Sequence, residues 1–429
     1  MSDGVKRPNA IRIAAAILVP LYTGACIFLY WKFMGWTEGS VYESDLPAHI
    51  SLAVDDGLIY SLISFIIIGL DRLRLMPVLP VILGLFALLS VMFTSKLLTE
   101  ITDHKLGSDA ADLAALFLNI LMPCYIKGLA DGRYMGMHTS SIWHNSTYLM
   151  MKWMGLWTLL IYLKLEKDIS EKLTLKSYIY FTAVLTLTTA AKPNFFLAAA
   201  PVMFIFLVID LVRKKAPVKR LILFASSVIP SFAVMLFQNS TLFAENSSAG
   251  GIVLAPGKAM TAHTGYLLPV TILSIAFPLM ILAVHVKELA VNRYMLFAWL
   301  CAAVGYLQYF LFSEDGARAL DANLSWGYAF TIILIFGVSL MQWLGDVKET
   351  FCIGEKTGSG KSKKRSSSGK SKGSSGKVKG SSGNGNGSSQ MMLKKVYVTA
   401  CGLVLLWHAY CGVLFFVRLL GGVSYMMWG

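Results

Sequence analysis

A pair of carboxylates followed by a histidine is the first part of the sequence that could carry out chemistry. Glu43 and Asp45 stand two positions apart, and His49 follows four positions after Asp45. A positioned carboxylate can act as a general base toward a hydroxyl, and two carboxylates together can hold a cation. These residues by themselves fit a solvated acidic loop equally well, so the surrounding elements decide between the two interpretations.

A second polar stretch combines an aromatic ring with hydrogen-bonding side chains. Trp143 offers a flat face on which a sugar ring can stack, and His144 and Asn145 offer donors and acceptors for hydroxyl or phosphate groups. The alternative is a belt of aromatic residues at the membrane surface, where Trp and Tyr are enriched. That alternative explains the tryptophan but not the adjacent His-Asn pair.

Cationic and amide side chains stand in two further stretches. Lys192 lies between two apolar runs, and it is suited either to a substrate phosphate or to lipid headgroups. Arg318 carries a planar guanidinium suited to a phosphate or pyrophosphate, and an ion pair with Glu314 four positions earlier is its competing role. Asn323 and Trp326 complete this last stretch.

Long apolar runs must position these polar stretches. Of the 429 residues, 56% are hydrophobic and only 14% are charged, whereas soluble proteins average roughly 25% charged residues. The apolar runs recur at about the length that crosses a hydrocarbon core of roughly 30 Å. The sequence therefore predicts an all-α, polytopic transmembrane helical bundle with about eleven spans. The runs cover residues 11–33, 76–95, 109–127, 147–164, 177–191, 194–212, 220–238, 267–286, 293–312, 326–344 and 397–419.

The distribution of Lys and Arg predicts the orientation of the bundle, because cytoplasmic loops carry the positive excess. Lys6, Arg7 and Arg12 place the N-terminus in the cytoplasm, and the basic loop 213–220 should lie on the same side. These assignments agree only if the short apolar run 57–70 does not cross, since an added crossing would turn the basic loops outward. We therefore expect a helix on the outer face there, and the candidate site on the extracytoplasmic side.

One strongly basic segment accounts for much of the net charge of +14. The core of residues 346–395 is almost entirely Gly, Ser and Lys, which cannot bury enough apolar surface to offset its ordering entropy. A disordered cytoplasmic loop that attracts anionic lipids is expected, and the lack of aromatic residues argues against nucleic acid as a partner. The predicted organisation is a membrane module at 1–344, this loop at 345–395, and a last helix with a short outer C-terminus at 396–429.

The order of these features resembles that of the GT-C superfamily of integral-membrane glycosyltransferases. In that family a first span leads to an outer loop with an acidic motif, then to an outer-face helix and many further spans. Glu43-Ser44-Asp45 matches the Glu-x-Asp form of the motif, and the 57–70 run matches the juxtamembrane helix. The resemblance covers roughly residues 1–240. It implies that Asp45 is the general base of an inverting transfer and that Glu43 positions it or holds a cation.

The resemblance also implies the substrates and the place of the reaction. The donor would be a polyprenyl-phosphate sugar, and the acceptor a cell-surface glycan or lipid-linked saccharide outside a multi-pass, bacterial cell membrane. No cofactor follows from the residues, and metal dependence stays open, because the acidic motif can recruit a divalent cation. The residues expected to bind substrate are His49, Trp143, His144, Asn145, Lys192, Glu314, Arg318, Asn323 and Trp326.

A flippase or transporter of lipid-linked oligosaccharides is the main alternative function. Such proteins place ionisable residues near the middle of spans. In this chain Asp109, Asp112 and Asp210 stand near the inner ends of predicted spans, and His408 stands alone at mid-span. That placement favours chemistry at the membrane surface. A polysaccharide polymerase would share the donor and the location, but its expected arginine-rich outer loops are poorly matched.

Single cysteines introduced near positions 45 and 144 should react from the same, extracytoplasmic side of the membrane. A membrane-impermeant maleimide applied to intact cells should label both, because the predicted topology puts both stretches outside. A cysteine in the basic loop 213–220 is the control and should be labelled only after the cells are permeabilised. Labelling of the first two positions from opposite sides would rule out a shared site.

Overall fold

A computed structural model of the chain describes most of its residues. The described ranges are 10–35, 37, 41–126, 128–129, 138–169, 173–244, 251–316, 319–352 and 384–425. Residues 353–383, the core of the predicted disordered loop, lie outside these ranges, and so does Arg318.

The described chain is mostly helical, as the sequence predicts. The helices are α1 (Ala10–Met34), α2 (Leu46–Val54), α3 (Leu62–Arg72), α4 (Leu79–Ile101), α5 (Ser108–Leu118), α6 (Ser146–Asp168), α7 (Leu175–Ala191), α8 (Asn194–Val212), α9 (Val218–Ser226), α10 (Ile229–Ala244), α11 (Lys258–Thr261), α12 (Leu267–Ser274), α13 (Ala276–His285), α14 (Arg293–Leu311), α15 (Ser325–Val347) and α16 (Asn384–Leu420). Single turns at Met76–Val78, Val286–Ala290 and Lys348–Cys352 adjoin α4, α13 and α15. Two short strands, β1 (Ile252–Leu254) and β2 (Phe312–Glu314), pair antiparallel with Ile252 opposite Glu314.

Within the described ranges, seven helical segments are long and apolar enough to cross a membrane. They are Ala10–Met34, Met76–Ile101, Asn194–Val212, Val218–Thr241, Arg293–Leu311, Ser325–Phe351 and Ser389–Leu420. An eighth candidate joins Leu267–Ser274 to Ala276–Ala290 with a bend of 78°. The structure thus agrees with an all-α membrane bundle, while the count of about eleven spans stays a prediction.

Two short helices follow α1 on the chain. The run 57–70 forms α3 only from Leu62 onward, and its 11 residues are about 17 Å long at the usual helical rise. That length is roughly half of a hydrocarbon core, so α3 cannot cross by itself. Ile63 and Ile67 are buried on one side of α3, and Phe65 is exposed on the other. The placement of α3 on the outer face stays a prediction.

The predicted span 109–127 is helical only as far as Leu118. The side-chain amide of Asn119 donates to a carbonyl in the last turn of α5 at 2.8 Å, which occupies an acceptor at the helix end. Beyond it, the backbone N–H groups of Met122 and Cys124 donate to carbonyls of α16 and α12, at 3.3 and 3.0 Å. The prediction of one continuous helix is therefore wrong, because neighbouring helices supply the backbone partners after Asn119.

The last helix begins earlier than predicted. Residues 384–395 belong to α16, whereas the sequence assigns them to the disordered loop 345–395. Lys394 of this helix donates to Glu349, which follows α15, at 2.7 Å. Helical residues therefore enter both ends of the predicted loop 345–395, through Cys352 on one side and from Asn384 on the other.

A charged cluster ties together the C-terminal ends of α6 and α8 and the start of α14. Arg293 contacts Glu166 and donates through Nη2 to Asp210 at 2.9 Å. Lys215 lies 3.8 Å from Glu166 and 3.9 Å from Asp210. Both carboxylates are buried, and the surrounding cations offset the cost of removing them from water. The cluster fixes these three helices lengthwise against one another.

Close packing around the start of α15 depends on glycine. A Cβ atom on Gly327 would lie 2.9 Å from the backbone oxygen of Asn194, the first residue of α8. A Cβ atom on Gly305 of α14 would lie 2.9 Å from the backbone of Tyr328. Backbone atoms cannot turn aside as the end of a side chain can, so the three helices reach this separation only with glycine at both positions.

Gly327→Ala should destabilise the protein by about 1–3 kcal/mol, because the added methyl group forces α15 away from α8. Thermal unfolding of the detergent-solubilised protein would measure the change as a lower Tm. Gly69→Ala in α3 is the matched control, since its Cβ would meet no atom within 4 Å. That control should leave Tm unchanged or raise it through helix propensity. Equal effects of the two variants would contradict the close approach.

Candidate functional site

A cavity of ≈ 960 Å³ lies where the N-termini of α2, α6, α8 and α15 meet. Its size is at the upper end of the usual range for small-molecule sites. Polar stretches that are far apart in the sequence converge on it. Eight of the predicted site residues line the cavity, namely Asp45, His49, His144, Asn145, Lys192, Glu314, Asn323 and Trp326.

Asp45 is held by contacts from two other parts of the chain. Its Oδ2 accepts a hydrogen bond from the Nδ2 of Asn145 at 2.8 Å, and its Oδ1 accepts one from the Tyr425 hydroxyl at 3.4 Å. Ser44 fixes the backbone beside it, since its Oγ donates to the His144 carbonyl at 2.9 Å and accepts from the Leu46 N–H at 3.1 Å. The Asp45 carboxylate is 32% exposed, so it remains open to a ligand in the cavity.

Asn145 is the N-cap of α6 and links Asp45 to the next side chains. Its Oδ1 accepts from the Tyr148 backbone N–H at 2.8 Å and from the Thr147 hydroxyl at 2.7 Å. Lys192 donates from Nζ to the Thr147 oxygen at 2.8 Å. Asp45, Asn145, Thr147 and Lys192 therefore form one continuous row of hydrogen bonds along the cavity wall. We call it the Asp45–Lys192 row.

Lys192 is placed by the break between α7 and α8. It is the C-cap of α7, and Pro193 follows it and cannot continue the helix hydrogen bonds. Its Nζ lies 5.0 Å from the centre of the Trp326 ring, a distance at which the ring face attracts a cation. Lys192 thus presents a positive charge to the cavity at a fixed position.

A second wall of the cavity is built from the residues before α15. Asn323 donates from Nδ2 to Glu314 Oε2 at 2.8 Å, and Trp326 donates from Nε1 to Asn323 Oδ1 at 3.3 Å. Asn194 donates to the Asn323 carbonyl at 2.9 Å, which attaches this wall to α8. Asp321 also lines the cavity. We use the name Glu314 wall for four residues, Glu314, Asp321, Asn323 and Trp326.

The two histidines next to Asp45 are neutral at physiological pH. Burial lowers the pKa of His144 to about 4, and the ring stacks on Tyr425 with centroids 3.6 Å apart. Burial likewise lowers the pKa of His49 to about 4, and its Nδ1 lies 2.7 Å from the Ser146 hydroxyl. His144 Nε2 is 3.9 Å from Asp45 Oδ2, but this contact is no ion pair while the ring is neutral. Lys192 is therefore the cation nearest to Asp45 along the Asp45–Lys192 row.

No protein-family model matches this chain, and no curated protein matches it.

Two predicted site residues, Trp143 and Glu43, are described but do not line the cavity. Trp143 is 3% exposed, donates to the Tyr22 hydroxyl at 3.1 Å and packs on Phe416 at 4.9 Å, so its ring cannot stack on a sugar. Glu43 accepts a short hydrogen bond from Ser424 beside the site. Arg318, with its predicted phosphate contact or ion pair to Glu314, lies outside the described residues.

Several cavity residues were not singled out from the sequence. Thr147 and Asp321 lie within three residues of His144 and Asn323, in polar stretches that the sequence analysis identified. Their proximity in the sequence could have indicated that they belong to the site. Gln238 ends an apolar run with an amide, which is a weaker signal of the same kind. Tyr425 reaches Asp45 from the last residues of the chain, and nothing in the sequence indicates that contact.

The predicted divalent cation has no group of three ligands among the residues that the structure describes. The described part of the chain contains no group of three or more His, Cys, Asp or Glu side chains placed to hold a metal ion. Asp45 is instead occupied by an amide and a phenol, both of which donate to it. A cation at Asp45 and Glu43 remains a hypothesis that is based on the sequence alone.

His144 should make the protein less stable as the pH falls below 6.5. The unfolded chain then binds a proton at an ordinary histidine, whereas the folded ring resists protonation down to a pKa of about 4. The free energy of unfolding should therefore drop by about 2 kcal/mol between pH 7 and pH 5 because of this ring alone. His144→Phe keeps a ring on Tyr425 and should remove that part of the pH dependence.

Thermal unfolding at a series of pH values measures this effect as a difference between variant and wild type. His104→Asn, at an exposed histidine just after α4, is the control for the removal of a histidine side chain as such. Identical pH profiles for wild type and His144→Phe would show that the buried ring does not titrate as described.

Proposed function

We propose that the chain is a membrane glycosyltransferase that moves a sugar from a polyprenyl-phosphate donor to an extracytoplasmic acceptor hydroxyl. Asp45 acts as the general base, and Lys192 holds the phosphate of the donor. The observation that carries the proposal is the Asp45–Lys192 row, which keeps a carboxylate and a cation on one wall of a large cavity.

The chemistry requires one base and one positive charge. The acceptor oxygen attacks the anomeric carbon while the bond from that carbon to the phosphate oxygen breaks, and polyprenyl phosphate leaves with the electron pair. The proton of the acceptor hydroxyl passes to Asp45. The departing phosphate needs no proton, and Lys192 stabilises the charge that develops on it. Attack opposite the leaving group inverts the anomeric configuration, so the second carboxylate of a glycoside hydrolase is not needed.

The backbone adds to the attraction for a phosphate. α6 begins at Ser146 and α8 at Asn194, so both helices start at the wall that carries Lys192. The first N–H groups of a helix lack intrahelical partners, and the helix dipole is positive at that end. Helix N-termini therefore favour anions, which supports a donor phosphate beside Lys192.

The apolar lining of the cavity supports a lipid-linked donor. Aliphatic residues of α2, α8, α10 and β1 contribute Leu52, Leu197, Met235, Leu236 and Ile252. Leu236 lines the cavity and is also 53% exposed on the outside of α10, so the cavity wall continues into the surface that would face lipid. An isoprenoid chain would gain about 25 cal/mol for each Å² of apolar surface it buries there. A water-soluble nucleotide sugar would gain little from such a lining.

Asp45→Asn should lower turnover by about 10²–10⁴-fold, because the amide cannot accept the acceptor's proton. The fold should persist, since an amide at this position can still accept the hydrogen bond from Asn145. The assay uses the donor lipid identified by mass spectrometry of material that co-purifies with the wild-type protein, and it follows release of polyprenyl phosphate.

Asp56→Asn is the matched control for this experiment. Asp56 is an exposed carboxylate just after α2 and does not line the cavity, so its loss should leave turnover unchanged. Wild-type turnover in Asp45→Asn would exclude Asp45 as the base. A flippase needs no general base, so its transport activity should be unchanged in Asp45→Asn.

A further inference from the structure

Three consecutive residues at the start of α6 each hydrogen-bond to a different side chain of the cavity wall. The pairs are Asn145 with Asp45, Ser146 with His49, and Thr147 with Lys192. Because Ser146 stands between the other two residues along the chain, His49 is brought beside both the proposed base and the proposed phosphate ligand. His49 is the one partner of the three that has no part in the Asp45–Lys192 row.

The hydroxyl of Ser146 decides which ring nitrogen of His49 carries the proton. Ser146 is 2% exposed, and in the part of the chain that the structure describes, the only hydrogen bond of its hydroxyl joins it to His49 Nδ1 at 2.7 Å. If the ring donated from Nδ1, the buried hydroxyl hydrogen would lack an acceptor, which is unfavourable. The hydroxyl therefore donates to Nδ1, and the single proton of the neutral ring is on Nε2.

The His49 ring stays neutral at physiological pH. Burial lowers the pKa of His49 to about 4, and while the charge of Asp45 opposes this shift, that of Lys192 adds to it. A neutral imidazole has one donor and one acceptor, and the acceptor is used by Ser146. The N–H group of Nε2 is what remains for a ligand.

The Nε2–H group is open to the cavity. His49 is half-buried and lines the cavity. Its Nε2 makes no hydrogen bond to a described residue and, unlike the enclosed polar atoms of the core, it remains accessible. The backbone N–H of His49 donates to the Asp45 carbonyl at 3.0 Å, so the two side chains lie one turn apart on the same face of α2. A ligand bound at Asp45 can therefore contact Nε2 at the same time.

A phosphate is the ligand group that suits this donor best. Lys192 places a positive charge beside the ring, and an anionic oxygen accepts a stronger hydrogen bond than a hydroxyl does. A protonated histidine at this position would pair with Asp45 and lower its basicity. A neutral N–H group binds an anion without occupying the carboxylate, so phosphate binding and base catalysis can coexist on this wall.

We infer that His49, held by Ser146 as the Nε2–H tautomer, is a neutral hydrogen-bond donor to the phosphate of the lipid substrate. Ser146 is a positioning residue, because it acts on the substrate only through the ring. The inference rests on the proposed function for the identity of the phosphate-bearing substrate, whereas the tautomer follows from the contacts of His49 alone.

Magic-angle-spinning NMR of the full-length protein in lipid vesicles tests the tautomer. With histidine labelled at both ring nitrogens, a nitrogen that carries a proton resonates far from one that does not, and the signals lost in His49→Gln identify those of His49. At pH 7 the wild type should have a proton on Nε2 and none on Nδ1. Ser146→Ala removes the hydroxyl that fixes the tautomer, so a mixture of the two forms should appear.

Binding of farnesyl phosphate tests the contact with the phosphate. This probe carries an isoprenoid chain and a phosphate without a sugar, and microscale thermophoresis of the detergent-solubilised, full-length protein measures its Kd. His49→Leu should weaken binding about tenfold or more, because a hydrogen bond to a charged oxygen is lost. His49→Gln places an amide N–H near the position of Nε2 and should stay within about threefold of wild type.

Two controls separate the hydrogen bond from a general effect of the substitution. His49→Asn is the matched control, since its shorter side chain brings the amide only to the position of Nδ1, and it should bind farnesyl phosphate as weakly as His49→Leu does. Farnesol has the same chain without the phosphate, and it should bind to wild type and His49→Leu alike.

A proton on Nδ1 of His49 in the wild type would overturn the inference. So would a wild type that does not bind farnesyl phosphate, a His49→Gln variant that binds it no better than His49→Asn, or an equal loss of farnesol binding in His49→Leu. These measurements do not involve turnover. Wild-type turnover in Asp45→Asn with the tautomer and the phosphate contact intact would refute the transferase alone, whereas lost turnover in Asp45→Asn with the proton on Nδ1 would refute only the role of His49.

Discussion

The amide of Asn145 is the constraint on which the arrangement of the site depends. As the N-cap of α6 it must turn its oxygen toward the first N–H groups of the helix, and Tyr148 and Thr147 donate to that oxygen. Its nitrogen is then left to donate to Asp45. One requirement of helix formation therefore fixes the direction of the proposed base. Because Thr147 also accepts from Lys192, the same cap sets where the positive charge stands.

The C-terminal end of α16 completes the site from the other end of the sequence. Tyr42 donates from its hydroxyl to the Leu420 carbonyl at 3.0 Å, and its ring lies against Gly422. Gly422 has a φ of +86°, and a Cβ there would lie 3.1 Å from that ring, so glycine is needed for both reasons. This contact brings Tyr425 over His144 and onto Asp45. The acidic segment is thus held between the start of α6 and the end of the last helix.

The sequence predicts the convergence of the site better than its detail. When the basic loops are placed in the cytoplasm, the predicted topology puts Asp45, His144 and Lys192 on the same side of the membrane. The structure brings all three residues to one cavity. The sequence cannot show which way a side chain turns. Trp143 and His144 are adjacent, yet Trp143 packs into the core because Tyr22 and Phe416 from distant helices receive it.

Helix continuity is equally hard to predict where the tertiary structure supplies backbone partners. Residues 119–126 continue an apolar run, but the backbone N–H groups of Met122 and Cys124 donate to α16 and α12 instead of to a continued α5. Apolar character reports that a segment is buried, and it does not distinguish a helix from an extended segment packed between helices.

Contacts at one end of the bundle influence the positions of residues at the other end, because α6 and α8 extend between the two ends. α6 carries the Asn145 cap at one end and Glu166 near the other, and α8 carries Asn194 at its start and Asp210 in its last turn. Arg293 joins the two distant carboxylates, so it fixes how far α6 and α8 slide against each other. A helix is stiff along its axis, and a shift at one end is therefore carried to the other. The ion pair at the far end of the bundle therefore supports the spacing between the α6 cap and Lys192, together with the direct hydrogen bond from Lys192 to Thr147.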